Sequence, residues 1–462
     1  MKTNLVKPTA WAAPALTFEG GKADKGLTPM KRLEREVFNC LLWEDSFYAS
    51  GDSIAKSIAD LCDHVSVKEI CDLAYRARHE YKLRHAPLWL LLQAVRINSA
   101  NIKATGRRRG AGPQSYYIKE GIERTIRRPD EVTEMLALYW KDGRKPIANA
   151  MKQGLAGALQ KFDAYQLGKW NRKGAVTLKD ALHMTHANVD ATPEQRVLFQ
   201  AVRDGTIETP DTWEVELSAS KDKKASWTRL LTEKRMGYMA RLMNLRNMVN
   251  AGVDAKLVES EILRGAERSW ALPFRFVSAV KHAPQYADTL SQALVASVNN
   301  PEVPHLVGST YVVVDVSGSM SGPLSGRSTL TRKEAAGALA SLVREVSGTC
   351  RVFTFANEVK EIPSHRGLGL VAEVMRAPSG GTYLAGALRQ IQVNTPSPDR
   401  LIVITDEQSH DGIAPCFATK AGYVLNVASY SPGIKTDQGW KRISGFSERS
   451  VEWIVANEGE GQ

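Results

Sequence analysis

The sequence predicts a chain in two parts. A helical region of HEAT-like repeats comes first, followed by a doubly wound α/β domain. Three observations carry this expectation. Up to about residue 300 the chain reads as helix after helix, with no strand-like alternation of comparable strength. Beyond it, β-branched runs at 311–314, 351–355, 401–405 and 423–427 read as strands, with a clear helix at 331–346 between the first two. The charge changes at the same place. Residues 1–300 hold 46 Lys and Arg against 34 Asp and Glu, and the remainder holds 15 against 16.

The elements follow in order. Residues 1–27, rich in Pro, Ala and Gly, read as a flexible leader without the apolar core of a secretory signal. An amphipathic, aromatic-rich segment at 31–47 opens the helical part. The next segment, 53–61, has apolar residues three and four apart and Ser53 as its cap. Segments at 67–83, 87–98, 131–139 and 146–162 continue the pattern. Helices of this length with short connections suggest antiparallel pairs stacked as an α-solenoid. The helical domain is placed at 28–300, the α/β domain at 301–455 and a disordered tail at 456–462.

Composition narrows the class. A hydrophobic content of 43% with 24% charged residues over 462 residues fits a folded chain with a large core, not a disordered one. No apolar run is long enough to span a bilayer. Five scattered cysteines, none in a Cys-x-x-Cys pair, point to reduced thiols in a cytoplasmic protein. The positive excess on the helical part suits a phosphate backbone as partner.

Three basic stretches are candidate RNA contacts. Arg107, Arg108 and Arg109 sit in a Gly-rich stretch, where arginine forks and exposed backbone N–H groups can meet phosphate oxygens. Arg124, Arg127 and Arg128 follow at helical spacing and would extend that patch. Lys169, Arg172 and Lys173 flank Trp170, a mixture that suits stacking on bases and pairing with phosphate. The helix that follows carries His183 and His186 three residues apart. No Cys or suitably placed Glu supports a zinc site there, so capping or RNA contact is the expected role.

The stretch Asp315-Val316-Ser317-Gly318-Ser319 directs one carboxylate and two hydroxyls to a loop at a strand's carboxyl end. Gly380-Gly381-Thr382 adds a hydroxyl, and Asp406 ends another apolar strand. Hard cations take oxygen ligands of this kind. Together the five residues resemble the metal-ion-dependent adhesion site (MIDAS) of von Willebrand factor A (vWA) domains. The resemblance implies that Ser317, Ser319 and Thr382 ligate a divalent cation such as Mg²⁺, with Asp315 and Asp406 acting directly or through water.

A second resemblance covers residues 28 to 455. The segments 154–186 and 230–248, Pro273-Phe274-Arg275-Phe276 and Cys40-Leu41-Leu42-Trp43-Glu44-Asp45 resemble the TROVE domain of the Ro autoantigen family, in its bacterial branch. At 242–245 this chain has Leu-Met-Asn-Leu, with Met243 where the family's motif has Arg. The resemblance implies a monomeric ring of HEAT-like repeats closed by the vWA domain. It implies binding of small noncoding Y RNA on the outer surface and of single-stranded 3′ ends of misfolded RNAs in the hole. It further implies a tether to polynucleotide phosphorylase in RNA quality control. Lys169, Lys173 and His186 fall on positions that contact Y RNA in the family, with Arg172 the equivalent of Lys173 if the alignment moves by one residue.

No nucleophile–base pair, phosphate-binding Gly-rich loop or two-metal carboxylate cluster stands out, so the expectation is a binding protein and not an enzyme. The rival is a vWA scaffold whose metal coordinates an acidic side chain of a protein partner.

Overall fold

The structure is a computed structural model. It describes residues 28–39, 51–80, 83–105, 112–269, 271, 273–299, 303, 305–324, 329–428, 434 and 439–444, together with 451, 454, 455 and 458. The expected leader, Cys40 to Asp45 and Arg107 to Arg109 lie outside these residues, as does the tail apart from Glu458. The chain divides into two compact units. One comprises residues 28–43 with 51–218, and the other contains 219–462.

In the unit from 219 onward, long runs of branched apolar residues build a sheet buried on both faces. Val312, Val313 and Val314 are fully buried, as are Leu401, Ile402, Val403 and Ile404. The strands are β1 (Leu306–Asp315), β2 (Ser347–Phe355), β3 (Val359–Ile362), β4 (Arg400–Thr405), β5 (Ala421–Asn426) and β6 (Trp440–Ser444). Their order is β3-β2-β1-β4-β5-β6. All pairs are parallel except β2 with β3. The chain winds outward from β1 to β3 and then restarts beside β1 with β4. The switch point therefore lies between β1 and β4, where loops at the carboxyl ends diverge and leave a crevice. Asp315 closes β1 and Asp406 follows β4.

The helix expected at 331–346 is Arg332–Val346, started by a capping box in which Thr331 and Glu334 satisfy each other's backbone N–H groups. The edge strands β3 and β6 escaped the sequence analysis because they are short, and in β3 the middle residues Lys360 and Glu361 are exposed. The helices between Lys223 and Val298 belong to this same compact unit. Pro273–His282 packs on Arg332–Val346, with Lys281 Nζ bonded to the Thr329 carbonyl and paired with Glu334.

The other unit is helical throughout its described residues, and its helices follow the sequence signals. Val67–His79 opens with a Ser66–Glu69 capping box, and prolines occupy first-turn positions of Pro113–Thr125, Pro129–Tyr139 and Pro193–Asp204. His85–Thr105 runs longer than the expected 87–98, since Pro87 falls in its first turn, where no N–H is needed. Val67–His79 packs on both His85–Thr105 and Pro113–Thr125, and Pro113–Thr125 packs on Asn149–Leu159. Two close crossings require glycine. A Cβ at Gly121 would meet Cys71 Cβ at 2.9 Å, and one at Gly154 would meet Ile122 Cβ at 2.8 Å.

Candidate functional site

The five oxygen-bearing residues at 315–319, 382 and 406 converge at the crevice. Asp315 is fully buried. Its Oδ1 accepts the Ser317 N–H at 2.8 Å and its Oδ2 accepts the Thr405 hydroxyl at 2.6 Å. The hydroxyl oxygens of Ser317 and Ser319 lie 3.2 Å apart. The Gly318 N–H donates to the Gly380 carbonyl at 2.9 Å, tying the first loop to the second. That second loop is held by Asn357, whose Oδ1 accepts the Gly381 N–H at 2.7 Å. A Cβ on Gly380 would come within 2.7 Å of the Asn357 amide, so a larger residue there would displace the side chain that holds the loop. The loop after β4 locks Thr382 in turn, since the His410 N–H donates to the Thr382 carbonyl at 2.9 Å.

Asp406 is fully buried. Its Oδ1 accepts the Gln408 N–H at 3.3 Å, whereas its Oδ2 has no hydrogen-bond donor among the described residues. Burial raises the Asp315 carboxyl first, the neighbouring Asp406 charge adds to this, and hydrogen bonds from Ser317 and Thr405 oppose it. Asp406 is also raised by burial, against the Ser319 hydroxyl and the Arg332 guanidinium. Two buried carboxylates, three hydroxyls and an orphaned carboxylate oxygen form an all-oxygen set that fits a hard divalent cation. Sequence reasoning missed Thr405, Asn357, His410 and Arg332 here. Thr405 lies next to Asp406, and Arg332 opens a capped helix, but only the fold turns them to the site.

Basic residues gather around aromatic rings in the helical unit. The Arg128 guanidinium lies 3.6 Å from the centre of the Trp170 ring, Arg172 lies 4.7 Å away and Lys169 Nζ 5.9 Å. Arg128 is held in place by a fork onto Asp130, at 2.9 and 2.6 Å. Lys169 and Trp170 end the helix Ala164–Trp170, and the exposed Arg172 and Lys173 follow in a loop. Arg144 over Trp140 and Lys145 over Tyr139 repeat the pairing at the end of Pro129–Tyr139. The fold thus brings Lys169 and Arg172 together with Arg128. No contact among the described residues joins the side chains of Lys173 or His186 to that cluster. His186 is exposed and caps Leu178–Thr185 in a left-handed conformation, φ 56°. Arg124 serves the fold instead, stacked on Tyr75 at 4.3 Å.

A further cationic feature was not singled out from sequence. Leu245–Asn250 and Pro273–His282 enclose a cleft of about 250 Å³, floored by Leu242, Leu245 and Ala279 and rimmed by Arg246, Arg275 and His282. No acidic residue lines it.

Comparison with known proteins shows similarity to a family model and to a solved fold. Residues 199–301 match the family model of the TROVE domain. Telomerase protein component 1 of Mus musculus is 33% identical over 78 residues, a segment covering 16% of this chain and only 3% of that protein. The crystal structure of the Deinococcus radiodurans RO (RSR) protein aligns over 94% of this chain and 100% of its own, with a TM-score of 0.61 at 16% identity. Residues 199–301 are thus similar to the TROVE domain, and the chain as a whole shares the fold of the Deinococcus radiodurans RO (RSR) protein.

Proposed function

We propose that the chain is a Ro-like RNA-binding protein without catalytic activity of its own. The observation that carries this is the Trp170 cluster, where the ring and Lys169 at the end of one helix meet Arg128, which caps another, and Arg172 from a loop, in a chain that has the Ro (Rsr) fold and a TROVE match at 199–301. Guanidinium and ammonium groups neutralise phosphates, and aromatic rings stack bases, with little sequence preference. Lys173 and His186 extend the same function on neighbouring segments, and the Arg246–Arg275–His282 cleft offers a second set of phosphate contacts. The ligands proposed are a small structured RNA of Y type and the unpaired 3′ ends of misfolded RNAs. Delivery to an exoribonuclease such as polynucleotide phosphorylase in the cytoplasm would follow. In this reading the helical repeats of 28–300 form the RNA-binding ring and residues 301–455 the vWA-like domain. The TROVE match at 199–301 includes residues of both compact units.

In the same reading the Asp315–Asp406 crevice is a MIDAS-type centre. Ser317, Ser319 and Thr382 would hold Mg²⁺, with Asp315 and Asp406 directly or through water. The cation, when bound, supplies a Lewis-acidic position for a carboxylate of a protein partner. The orphaned Asp406 Oδ2 favours that second role for the molecule.

The test is titration of the purified chain with a fluorescent stem-loop RNA carrying a single-stranded 3′ tail. Trp170→Ala should weaken binding by about 1–3 kcal/mol if the ring stacks on a base. Affinity should also fall steeply with salt. Affinity unchanged in Trp170→Ala and in Arg172→Ala with Lys173→Ala, together with indifference to salt, would refute RNA binding at this surface.

A further inference from the structure

Of the three charged residues that open the helix Arg332–Val346, two are committed away from the crevice. Lys333 Nζ donates to the Ala377 carbonyl at 2.6 Å, and Glu334 pairs with Lys281 at 2.9 Å. Arg332 turns inward. It is only 2% exposed, and its Nη1 lies 3.7 Å from Asp406 Oδ2, the carboxylate oxygen with no hydrogen-bond donor. That distance is too long for a hydrogen bond but close enough for strong charge attraction in a buried site. The same Nη1 donates to the Ser319 carbonyl at 2.8 Å, so one guanidinium spans the loop after β1 and the residue after β4. Its backbone is fixed as well, by the Arg332 N–H bond to the Gly322 carbonyl at 3.0 Å and by the Thr331 cap.

We propose that Arg332 is a built-in counter-ion of the Asp315–Asp406 site, which holds the buried carboxylates together without a metal and lowers the affinity of the divalent cation. The proposal rests on the metal-centre reading above. Without Arg332, two fully buried carboxylates would face each other with only hydroxyls and the backbone N–H groups of Ser317 and Gln408 as support and no positive charge beside them, an arrangement that strongly favours a bound cation. With Arg332 the pair is half neutralised in advance. An incoming dication must then share the crevice with a fixed positive charge on the side where Asp406 offers its open oxygen, and the repulsion weakens binding. The helix that carries Arg332 thereby sets how much cation the site needs, a role separate from ligation.

The experiment measures Mn²⁺ binding to the full chain by loss of the free-ion electron paramagnetic resonance signal. Wild type, Arg332→Gln and Arg332→Met are compared, and each is melted in EDTA and in excess Mn²⁺. Both variants should bind Mn²⁺ at least about tenfold more tightly than wild type. Both should gain far more thermal stability from Mn²⁺ than wild type does, while wild type melts at nearly the same temperature with or without the ion. Equal or weaker Mn²⁺ affinity in the variants would overturn the counter-ion role and leave the metal centre standing. Mn²⁺ binding to none of the three proteins would overturn both. Since wild type folds by definition, its melting in EDTA is an independent arm, and a large loss of stability there also overturns the proposal.

Discussion

Arg241 and Glu261 show how a basic residue in the TROVE-matched segment serves the fold. Arg241 is 6% exposed and Glu261 7%, and the guanidinium gives Nη1 to the Glu261 carboxylate at 2.7 Å. Arg241 also bonds the backbone carbonyls of Glu261 and Arg264. Removing one partner of such a buried pair leaves the other charge unpaired. Glu261→Ala should therefore cost about 3–5 kcal/mol in urea unfolding. The double change Arg241→Met with Glu261→Leu should recover most of that loss, because both desolvated charges are then gone. The pH dependence has a definite sign. Burial alone would raise the Glu261 carboxyl, but Arg264 and Arg241 together hold it below its ordinary value. Its stabilisation is present above the unfolded value of about 4.3 and is lost as pH falls through the lower folded value. Glu261→Gln should thus remove part of the acid sensitivity of unfolding between pH 5 and 2, roughly. An unchanged acid profile would show that the pair carries no such linkage.

At the scale of elements, glycines decide which helices can approach. Gly154 and Gly157 both lie in the helix Asn149–Leu159, one turn apart, and both look permissive in sequence. Their surroundings differ. A Cβ at Gly154 would meet Ile122 Cβ at 2.8 Å and the Lys119 carbonyl at 2.9 Å, neither of which can move without shifting a helix. A Cβ at Gly157 would meet the side chain of Glu123, whose outer atoms can swing away. Gly154→Ala should destabilise by about 1–3 kcal/mol through overpacking. Gly157→Ala should be neutral or stabilising, since alanine favours helix by up to about 1 kcal/mol. Equal melting shifts for the two variants would contradict this account. A third glycine links packing to the candidate RNA surface. A Cβ at Gly168 would clash with the Glu208 carbonyl. Gly168→Ala should push the helix that ends in Lys169 and Trp170 off the 208–210 segment. RNA affinity and melting temperature should then fall together, in contrast to Trp170→Ala, which should lower affinity alone.

Over the whole molecule the positive charge is spread more evenly than the fold boundary implies. Lys and Arg exceed Asp and Glu by six in residues 1–218, and by six again in the much shorter stretch 219–300, with thirteen against seven. From 301 onward the balance is 15 against 16. Each compact unit therefore contains helical surface able to attract a polyanion. If a residue neutralises one RNA phosphate, removing it should reduce the slope of log affinity against log salt by about 0.7 for a single strand. That measurement sorts Lys173→Ala and Arg246→Ala from Arg124→Ala, whose guanidinium is occupied on Tyr75 and should leave the slope unchanged.

The class of each half is legible in the residue order because of periodicity. Branched apolar runs bounded by polar loops specify strands buried on both faces, and apolar residues three and four apart specify helices. The residue order also pointed to one meeting place for Asp315, Ser317, Ser319, Thr382 and Asp406, because loops at the carboxyl ends of adjacent parallel strands must meet at the switch point. The short edge strands β3 and β6 lacked that signal, and so did the boundary of the compact units, which depends on which helix faces pack together. Packing turns Arg332 into the crevice, brings Arg128 to Trp170, and makes Gly154 necessary while Gly157 is not. These outcomes follow from contacts between residues far apart in the chain, whose approach distances no local pattern encodes.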